Sequence, residues 1–323
     1  MTSYLDAPVF ICGHRKGGTT VTVSLFDGHP ELLTLPIDSG FFYAVFPEKI
    51  ALGKDQTIEA IVEKTLEGNL REELTKIDAA DHIDTSAIAR RYTELASAGE
   101  HRPALHLKAL MRAYGENCGQ VPDNWGHWVE KTTSTEIYAM EIAEWFPKAQ
   151  FLHIVRDPRD NWASLRSGWE KRYQHQESAI GDLIQTLLAR AGLGLRISQL
   201  NVQALGQDKY RVERFEDMTR HPRESFEDIC RFLRIDYHPA LERPTIAGKL
   251  WPGNNFEGLA FSSLDDTNTG RWSERVPENE AALIEAHLGD IMETLGYNPT
   301  FSPRERALAA SDHYKWINAN RHF

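Results

Sequence analysis

The sequence is poor in cysteine, in long apolar runs and in positive charge. Three cysteines, Cys12, Cys118 and Cys230, are scattered over 323 residues. An odd, widely spaced set argues against a disulfide framework and favours a reducing compartment. No stretch reaches the roughly 18 apolar residues that a membrane-spanning helix needs. Residues 1–6 have neither the basic nor the apolar region of a secretory signal. We therefore expect a cytoplasmic protein without a membrane span.

Basic residues are outnumbered, because 36 Lys and Arg face 47 Asp and Glu and leave a net charge of −11. This balance argues against binding to nucleic acid and to anionic membranes, since both carry dense negative charge. The negative net charge also disfavours a long, highly anionic binding partner unless basic residues cluster locally. The length is sufficient for one large domain with a substantial core.

The most informative stretch lies at residues 8–20, where an apolar run stops at Gly13 and a basic, glycine-rich segment leads into two threonines. This order predicts a strand, a phosphate-binding loop and a helix. Glycines allow the backbone to approach an oxyanion closely, and a helix N-terminus directs free N–H groups toward it. An ordinary strand-to-helix turn is the alternative. The residues that we expect to bind the anion are Arg15, Lys16, Gly17, Gly18, Thr19 and Thr20.

The loop differs from that of nucleoside triphosphatases, which has Gly, four residues, then Gly-Lys-Ser/Thr. Gly13 and Gly18 have the right separation, but Thr19 occupies the lysine position and the lysine comes earlier, at Lys16. No apolar strand with an evident magnesium-binding aspartate accompanies it. We therefore expect a phosphate-like group to bind without a divalent metal, so the predicted metal ligands are none. A P-loop nucleotide kinase or NTPase is the alternative.

Three later segments carry polar side chains at the ends of predicted elements. Arg156 follows the strand 150–155, and Ser164 lies eight residues on, in the next helix, so that both can share one phosphate. A surface Arg–Asp network is the competing interpretation. Asp38 follows a short strand, where ligands bind in open α/β sheets, although a turn role is equally open. The polar loop 265–272 offers hydroxyls, a glycine and a cation, or is simply a surface loop.

The remaining periodicity predicts an α/β fold with a mainly parallel central sheet. Apolar residues recur at helical spacing over residues 56–76 and 83–98, which indicates a helical insertion at roughly 55–125. We expect one domain over residues 1–300 and a tail at 301–323 with helical content.

Four ordered stretches together resemble the sulfotransferases that use 3′-phosphoadenosine 5′-phosphosulfate as donor. Residues 13–20 are similar to the family's 5′-phosphosulfate loop, with Lys16 in its basic position, and residues 151–164 to its 3′-phosphate segment. Residues 129–132 resemble a Glu-Lys-Thr-Pro motif of the bacterial, glycan and tyrosylprotein branches, although Thr133 replaces the proline. Residues 211–218 resemble a later strand-to-helix segment.

The resemblance implies a P-loop NTPase-like three-layer sandwich and transfer of a sulfuryl group to a hydroxyl or amine of a small-molecule, glycan or lipid acceptor. It implies that Lys16 acts on the leaving oxygen, that Lys131 stabilises the sulfuryl group, and that adenosine 3′,5′-bisphosphate is the product. Asp38 aligns with a family glutamate and is the candidate base, with His106 as a second choice. The remaining donor contacts implied are Arg156, Ser164, Gly270, Arg271 and Trp272. A non-catalytic binding protein on the same fold is a further alternative.

Overall fold

A parallel sheet carries the chain's polar loops at one edge. The computed structural model describes residues 4–46, 57–97, 102–118, 126–175, 179–254, 256, 258 and 262–320. Within these residues, five parallel strands have the spatial order β2-β3-β1-β4-β5, and a separate antiparallel pair is formed by β6 and β7. The strands are β1 Pro8–Cys12, β2 Leu32–Thr34, β3 His127–Lys131, β4 Gln150–Val155, β5 Tyr210–Arg214, β6 Thr245–Ile246 and β7 Lys249–Leu250.

Helices cover both faces of the sheet, as expected when parallel strands are joined by crossover helices. They are α1 Thr19–Phe26, α2 Phe41–Val45, α3 Ile58–Glu63, α4 Arg71–Lys76, α5 Thr85–Ser97, α6 Pro103–Asn117, α7 Ala139–Trp145, α8 Pro158–Arg166, α9 Ile180–Thr186, α10 Gly192–Leu205, α11 Phe215–Arg220, α12 Pro222–Leu233, α13 Trp272–Arg275, α14 Glu278–Thr294 and α15 Pro303–Asn320. Two π-helical segments interrupt this pattern: Lys64–Leu70 joins α3 to α4, and Leu187–Ala191 joins α9 to α10.

The alternating side chains of β1 show why the sheet has a helical layer on each side. Phe10 belongs to an apolar cluster with Trp128 and Phe151, whereas Val9 and Ile11 belong to a different cluster that includes α1 and α12. All these side chains are fully buried. The three-layer α/β architecture predicted from the sequence is therefore confirmed.

The segment between β2 and β3 contributes helices α3 to α6, whose apolar residues join the Phe10 cluster. α15 packs against α14 beyond the last sheet strand. The boundaries of a domain at 1–300 and of a tail at 301–323 stay predictions. None of the described helices is long and apolar enough to cross a bilayer.

Strand register brings the predicted polar residues together at the carboxyl ends of the strands. Ile11 of β1 is paired with Lys131 of β3, and Cys12 with His153 of β4. The residues that follow these strands therefore emerge at similar heights. The loop after β1, the end of β3 and the turn after β4 consequently face one cleft.

Candidate active site

A cleft of about 890 Å³ lies at the carboxyl edge of the sheet, between the phosphate loop, α3–α4 and the segment that follows β7. Its described lining has nine basic residues and four acidic ones, so it is positive in a chain whose net charge is −11. The basic residues are Arg15, Lys16, Lys64, Lys76, Lys131, Arg156, Arg172, Arg190 and Arg275, and the acidic ones are Asp38, Glu72, Glu73 and Asp265. Local clustering thus makes the cleft positive despite the acidic net charge, which favours an anionic ligand.

Close packing around its glycines shapes the phosphate loop. Gly18 has φ 102°, and a Cβ there would lie 2.3 Å from Cδ2 of Phe215, the first residue after β5. A Cβ at Gly13 (φ 135°) would lie 2.5 Å from the carbonyl oxygen of Ile154. Larger residues are therefore excluded at both positions. The helix α1 begins directly after the loop, at Thr19, so its first N–H groups face the cleft end of the loop.

Lys16 occupies the left-handed region with φ 62°, and its Nζ donates a hydrogen bond of 2.8 Å to the carbonyl oxygen of Asn254. The ammonium also lies 4.0 Å from the ring centroid of Phe256. Burial, together with the nearby charges of Arg172, Lys131 and Arg156, lowers the pKa of Lys16 to about 8. A lysine in this setting is suited to bind an anion, because the anion would offset the repulsion among these cations.

Arg156 connects the loop to the second predicted phosphate site. Its Nη1 donates to the carbonyl oxygen of Lys16 at 3.0 Å and to Oγ of Ser164 at 3.3 Å. Its Nη2 donates to the carbonyl oxygen of Asn268 at 2.7 Å. The Nε is buried and has no hydrogen-bond partner among the described residues. The structure therefore brings Arg156, Ser164 and the phosphate loop together, as the sequence predicts, and leaves a buried donor for a ligand.

Arg15 belongs to the same wall of the cleft. Its guanidinium lies 4.9 Å from the ring centroid of Tyr173, and its carbonyl oxygen accepts a hydrogen bond of 2.8 Å from Asn161. Gly17 donates its N–H to the carbonyl oxygen of His14 at 3.0 Å, which closes the turn before the helix.

Asp38 and Lys131 form an ion pair on the other side of the loop. The Nζ of Lys131 lies 2.7 Å from Oδ2 of Asp38, and it also donates to Thr133 at 3.2 Å and to Thr20 at 3.5 Å. Burial opposes ionisation of Asp38, but the charge of Lys131 and hydrogen bonds from Lys131, Thr133 and Gly40 outweigh it and hold the pKa of Asp38 below its usual value. Asp38 therefore stays ionised at neutral pH.

A buried network below this pair fixes its position. The hydroxyl of Ser39 donates to Oε1 of Glu130, and Thr132 donates to the same oxygen at 2.7 Å. Burial raises the pKa of Glu130 to about 7. The N–H of Ser39 donates to the carbonyl oxygen of Lys131 at 2.9 Å, so the chain after β2 is attached to the end of β3. This attachment explains why Asp38 and Lys131, 93 residues apart, meet.

The loop 265–272 reaches the cleft through Asp265 and Asn268. The carbonyl of Asn268 accepts the hydrogen bond from Arg156 described above. The backbone of this loop therefore contacts the residues predicted to form the second phosphate site, although no sequence motif indicated Asn268 individually.

The last three residues of that loop do not line the cleft. The N–H groups of Gly270 and Trp272 donate to the carboxylate of Asp160, at 2.5 and 2.9 Å. Arg271 is partly exposed, with its Nε 3.7 Å from Glu274. Contact between these three residues and a donor stays a prediction.

His106 and His14 lie in different places relative to the cleft. His106, the second choice as base, is buried and forms a hydrogen bond of 2.7 Å with Tyr92, outside the cleft lining. His14 does line the cleft, and neither of its ring nitrogens has a hydrogen-bond partner among the described residues. Burial lowers its pKa to about 3. Its place inside the phosphate loop was the signal that sequence reasoning did not use.

Further cleft residues came from helices without any motif. Arg190 and Lys64 line the cleft from the two π-helical segments, and Arg172 lines it from the turn after α8. Periodicity places such residues on helices but does not say which helix borders a ligand site.

Comparisons with known proteins agree with this geometry. Residues 8–239 match the sequence profile described as "Sulfotransferase family". The chain is 26% identical over 182 residues to carbohydrate sulfotransferase 6 of Homo sapiens, a match over 50% of this chain and 45% of the human protein. It is 21% identical over 308 residues to protein-tyrosine sulfotransferase 2 of Gallus gallus, covering 91% of this chain and 70% of that protein. The chain thus spans less than half the length of the human relative.

A solved structure shares the fold. The sulfotransferase domain from the Synechococcus PCC 7002 olefin synthase superposes with a TM-score of 0.59 and 18% identity, over 91% of this chain and 96% of that one. A likeness at this identity shows the fold alone.

Proposed function

The chain belongs to the sulfotransferase family, and we propose that it moves the sulfuryl group of 3′-phosphoadenosine 5′-phosphosulfate to a hydroxyl or amine of a small-molecule, glycan or lipid acceptor. We propose further that transfer needs no divalent metal. The two named relatives act, by their names, on carbohydrate and on protein tyrosine. The three cysteines, all free in the structure, support the proposal of a cytoplasmic setting.

The observation that carries this proposal is the coupling of two anion sites by one guanidinium. Arg156 donates both to the backbone of Lys16 and to Ser164, and its Nε is left for a ligand. A donor with a 5′-phosphosulfate and a 3′-phosphate presents two anionic groups on one ribose. The cradle at Gly17 and Gly18 and the site at Arg156 and Ser164 fit these two groups.

The proposed roles of the residues follow from their positions. Lys16 and the N–H groups of Gly18, Thr19 and Thr20 would hold the 5′ end, and Lys131 would face the sulfuryl oxygens. The loop of Gly270, Arg271 and Trp272 stays in the proposed donor site, since Asn268 of the same loop holds Arg156.

When bound, the donor supplies an activated sulfuryl group. The acceptor oxygen forms a new bond to sulfur, and the bond from sulfur to the 5′-phosphate oxygen breaks with its electron pair on that oxygen. Lys16 and Lys131 are charged groups fixed where negative charge develops, which is the arrangement that lowers such barriers most. Asp38 accepts the acceptor's proton. Asp38 becomes a better base when Lys131 is drawn toward the sulfuryl oxygens, because its pKa is held down chiefly by Lys131.

A nucleotide kinase on the same loop is the runner-up. Kinases and NTPases bring Mg²⁺ to the phosphates with a hydroxyl and an acidic residue. Here Asp38, a carboxylate that lines the cleft, is engaged by Lys131, Thr133 and Gly40. Among the described residues, no group of three or more His, Cys, Asp or Glu is arranged to hold a metal ion.

Turnover of a labelled donor tests the proposal. Protein in excess EDTA is incubated with ³⁵S-labelled donor and a panel of saccharides, phenols, lipids and peptides, and labelled product is counted. We expect metal-independent transfer to at least one acceptor class. Lys16→Ala should reduce it by about 10²–10³, the usual loss for one preorganised donor. ATP turnover that requires Mg²⁺, with no sulfuryl transfer, would support the kinase instead.

A further inference from the structure

The two π-helical segments of the described chain both border the cleft, and each brings a cation to it. Lys64 opens the segment Lys64–Leu70, and Arg190 lies near the end of Leu187–Ala191. One segment lies between β2 and β3 and the other between β4 and β5, so the two cations come from separate walls. π-Helical turns are rare and are frequent at functional sites. Their coincidence at one cleft calls for a functional explanation.

The first of these segments is adjacent to the Asp38–Lys131 pair. Thr65, next to Lys64, donates its hydroxyl to the carbonyl oxygen of Ser39, the residue after Asp38. This contact fixes the first π-helical segment beside the candidate base.

Arg190 approaches the same region from the other wall. Burial is the main influence on the pKa values of Tyr43 and His14, raising the first and lowering the second to about 3, and the charge of Arg190 lowers both. The hydroxyl of Tyr43 donates to the carbonyl oxygen of Thr133, which itself binds Asp38. Arg190 is therefore close enough to Tyr43, which contacts Thr133 beside Asp38, for its charge to affect the pKa of Tyr43.

Two glycines allow α10, the helix that follows the second π-helical segment, to pack closely against its neighbours. A Cβ at Gly194 would lie 2.6 Å from Oε1 of Glu136, and one at Gly192 would lie 2.6 Å from Cδ2 of Leu288. At Gly194, α10 therefore packs against Glu136, whose carboxylate accepts the N–H of Gly13 in the phosphate loop. The π-helical turn before α10 places Arg190 in the cleft lining.

Lys64 and Arg190 differ from Lys16 and Arg156 in having no partner among the described residues. Within the described part of the chain, neither makes a hydrogen bond or an ion pair, although four acidic residues line the same cleft. Lys16 and Arg156, by contrast, are held by backbone carbonyls. The donor's two anionic groups are proposed to bind at the phosphate loop and at Arg156. Lys64 and Arg190 are additional cations of the cleft that these two groups do not use.

We propose that the acceptor carries an anionic group, a carboxylate, phosphate or sulfate, which Lys64 and Arg190 bind while its hydroxyl faces Asp38. This inference rests on the proposed sulfuryl transfer and makes the two residues determinants of acceptor specificity. The acceptor is small, because the net charge of −11 repels a long polyanion outside the cleft. Arg190 suits this task because a guanidinium binds planar carboxylates and phosphates in a bidentate manner.

Matched neutral and anionic acceptors test the proposal without depending on turnover. The protein is first saturated with adenosine 3′,5′-bisphosphate and then titrated by calorimetry with 4-hydroxyphenylacetate against its amide, and with glucuronate against glucuronamide. We expect the carboxylate of at least one pair to bind about tenfold more tightly, as a charge-assisted hydrogen bond provides.

Variants then locate the preference. Lys64→Gln with Arg190→Gln should bring the ratio close to one and leave the affinity for adenosine 3′,5′-bisphosphate unchanged. The matched control is Arg196→Gln with Lys315→Gln, which removes two cations that pair with Asp290 and Asp312 outside the cleft lining. The control should keep the preference.

Three results would overturn the inference. The first is equal or absent binding of both members of both pairs at millimolar concentration. The second is a preference that survives in the Lys64→Gln and Arg190→Gln protein. The third is weakened nucleotide binding in that protein, which would assign the two cations to the donor. Failure of the wild type to bind the nucleotide at all is a different result, since it removes the proposed function itself.

Discussion

The two sides of the cleft hold their cations in opposite ways. On the donor side, Lys16 and Arg156 are fixed by carbonyl oxygens of Asn254, Lys16 and Asn268, at 2.7–3.0 Å. On the acceptor side, Lys64 and Arg190 have no hydrogen bond or ion pair within the described residues. Fixed charges stabilise a transition state without reorganisation. Unfixed charges can adapt to a ligand, at the cost of side-chain entropy.

The two sides also differ in which parts of the chain supply their cations. The proposed donor site consists of a loop, a helix N-terminus and an arginine, each of which directly follows a sheet strand or the loop after it. The proposed acceptor site uses cations from helical segments inserted between strands. The Asp38–Lys131 pair lies between the two sides: Lys131 donates to Thr20 of α1, and Ser39, next to Asp38, accepts a hydrogen bond from Thr65.

The largest effect is expected from Asp38→Asn. Asparagine retains the hydrogen-bond acceptor for Lys131 and Thr133 but cannot take a proton, so kcat should fall by about 10²–10⁴. Nucleotide affinity should stay unchanged, because Asp38 lies outside the donor side. The measurement is kcat and nucleotide Kd on the same preparation. Full activity in Asp38→Asn together with a loss in His14→Gln would move the base to the phosphate loop.

The next effect concerns pH and the donor side alone. The pKa of Lys16 is lowered to about 8, so its charge is lost as the pH rises through that value. Affinity for adenosine 3′,5′-bisphosphate should therefore be constant below this range and fall by about tenfold per pH unit above it. Calorimetry over a pH series measures this dependence.

Lys16→Arg provides the control for the pH dependence. Arginine stays charged at all these pH values, so the fall in affinity should disappear. An identical pH profile in the wild type and in Lys16→Arg would show that another group titrates.

The smallest effect concerns Glu136, which contacts both sides. Its Oε2 accepts the N–H of Gly13 at 2.9 Å, and its Oε1 lies against Gly194 of α10. Burial raises the pKa of Glu136 from 4.5 to about 7. The folded state then holds a proton that the unfolded state releases, so the contribution of Glu136 to stability is greatest below pH 4.5 and is lost as the pH rises to about 7.

Glu136→Gln should flatten this dependence by on the order of 1–3 kcal/mol between these pH values. Glutamine keeps the acceptor for Gly13, and the titration of Glu130 remains in both proteins, so the difference isolates Glu136. Denaturant unfolding at a series of pH values gives the comparison. Parallel stability curves for the two proteins would mean that Glu136 does not carry the proton.

Sequence predicted the donor side better than the acceptor side for physical reasons. The strand at β4, the loop after β1 and the Arg156–Ser164 spacing depend on neighbours within about a dozen residues, where periodicity and turn chemistry are informative. The pairing of Asp38 with Lys131 depends instead on strand register and on the bond from Ser39 to the end of β3. Both residues were predicted separately, but their contact was not.

The acceptor side depends on contacts that no local pattern contains. The pattern predicts a helix over residues 56–76 but does not show that Lys64–Leu70 within it is a π-helical segment. The same limit applies to the loop at 265–272, where Asp160 binds the backbone that the sequence assigned to a ligand.

The most direct test of the account is calorimetric binding of adenosine 3′,5′-bisphosphate in excess EDTA, with wild type, Lys16→Ala and Arg156→Ala. The account predicts metal-independent binding by the wild type and clear weakening in both variants, because each removes a cation from one of two coupled phosphate sites. Undetectable wild-type binding at millimolar nucleotide, or unaltered affinity in both variants, would contradict it.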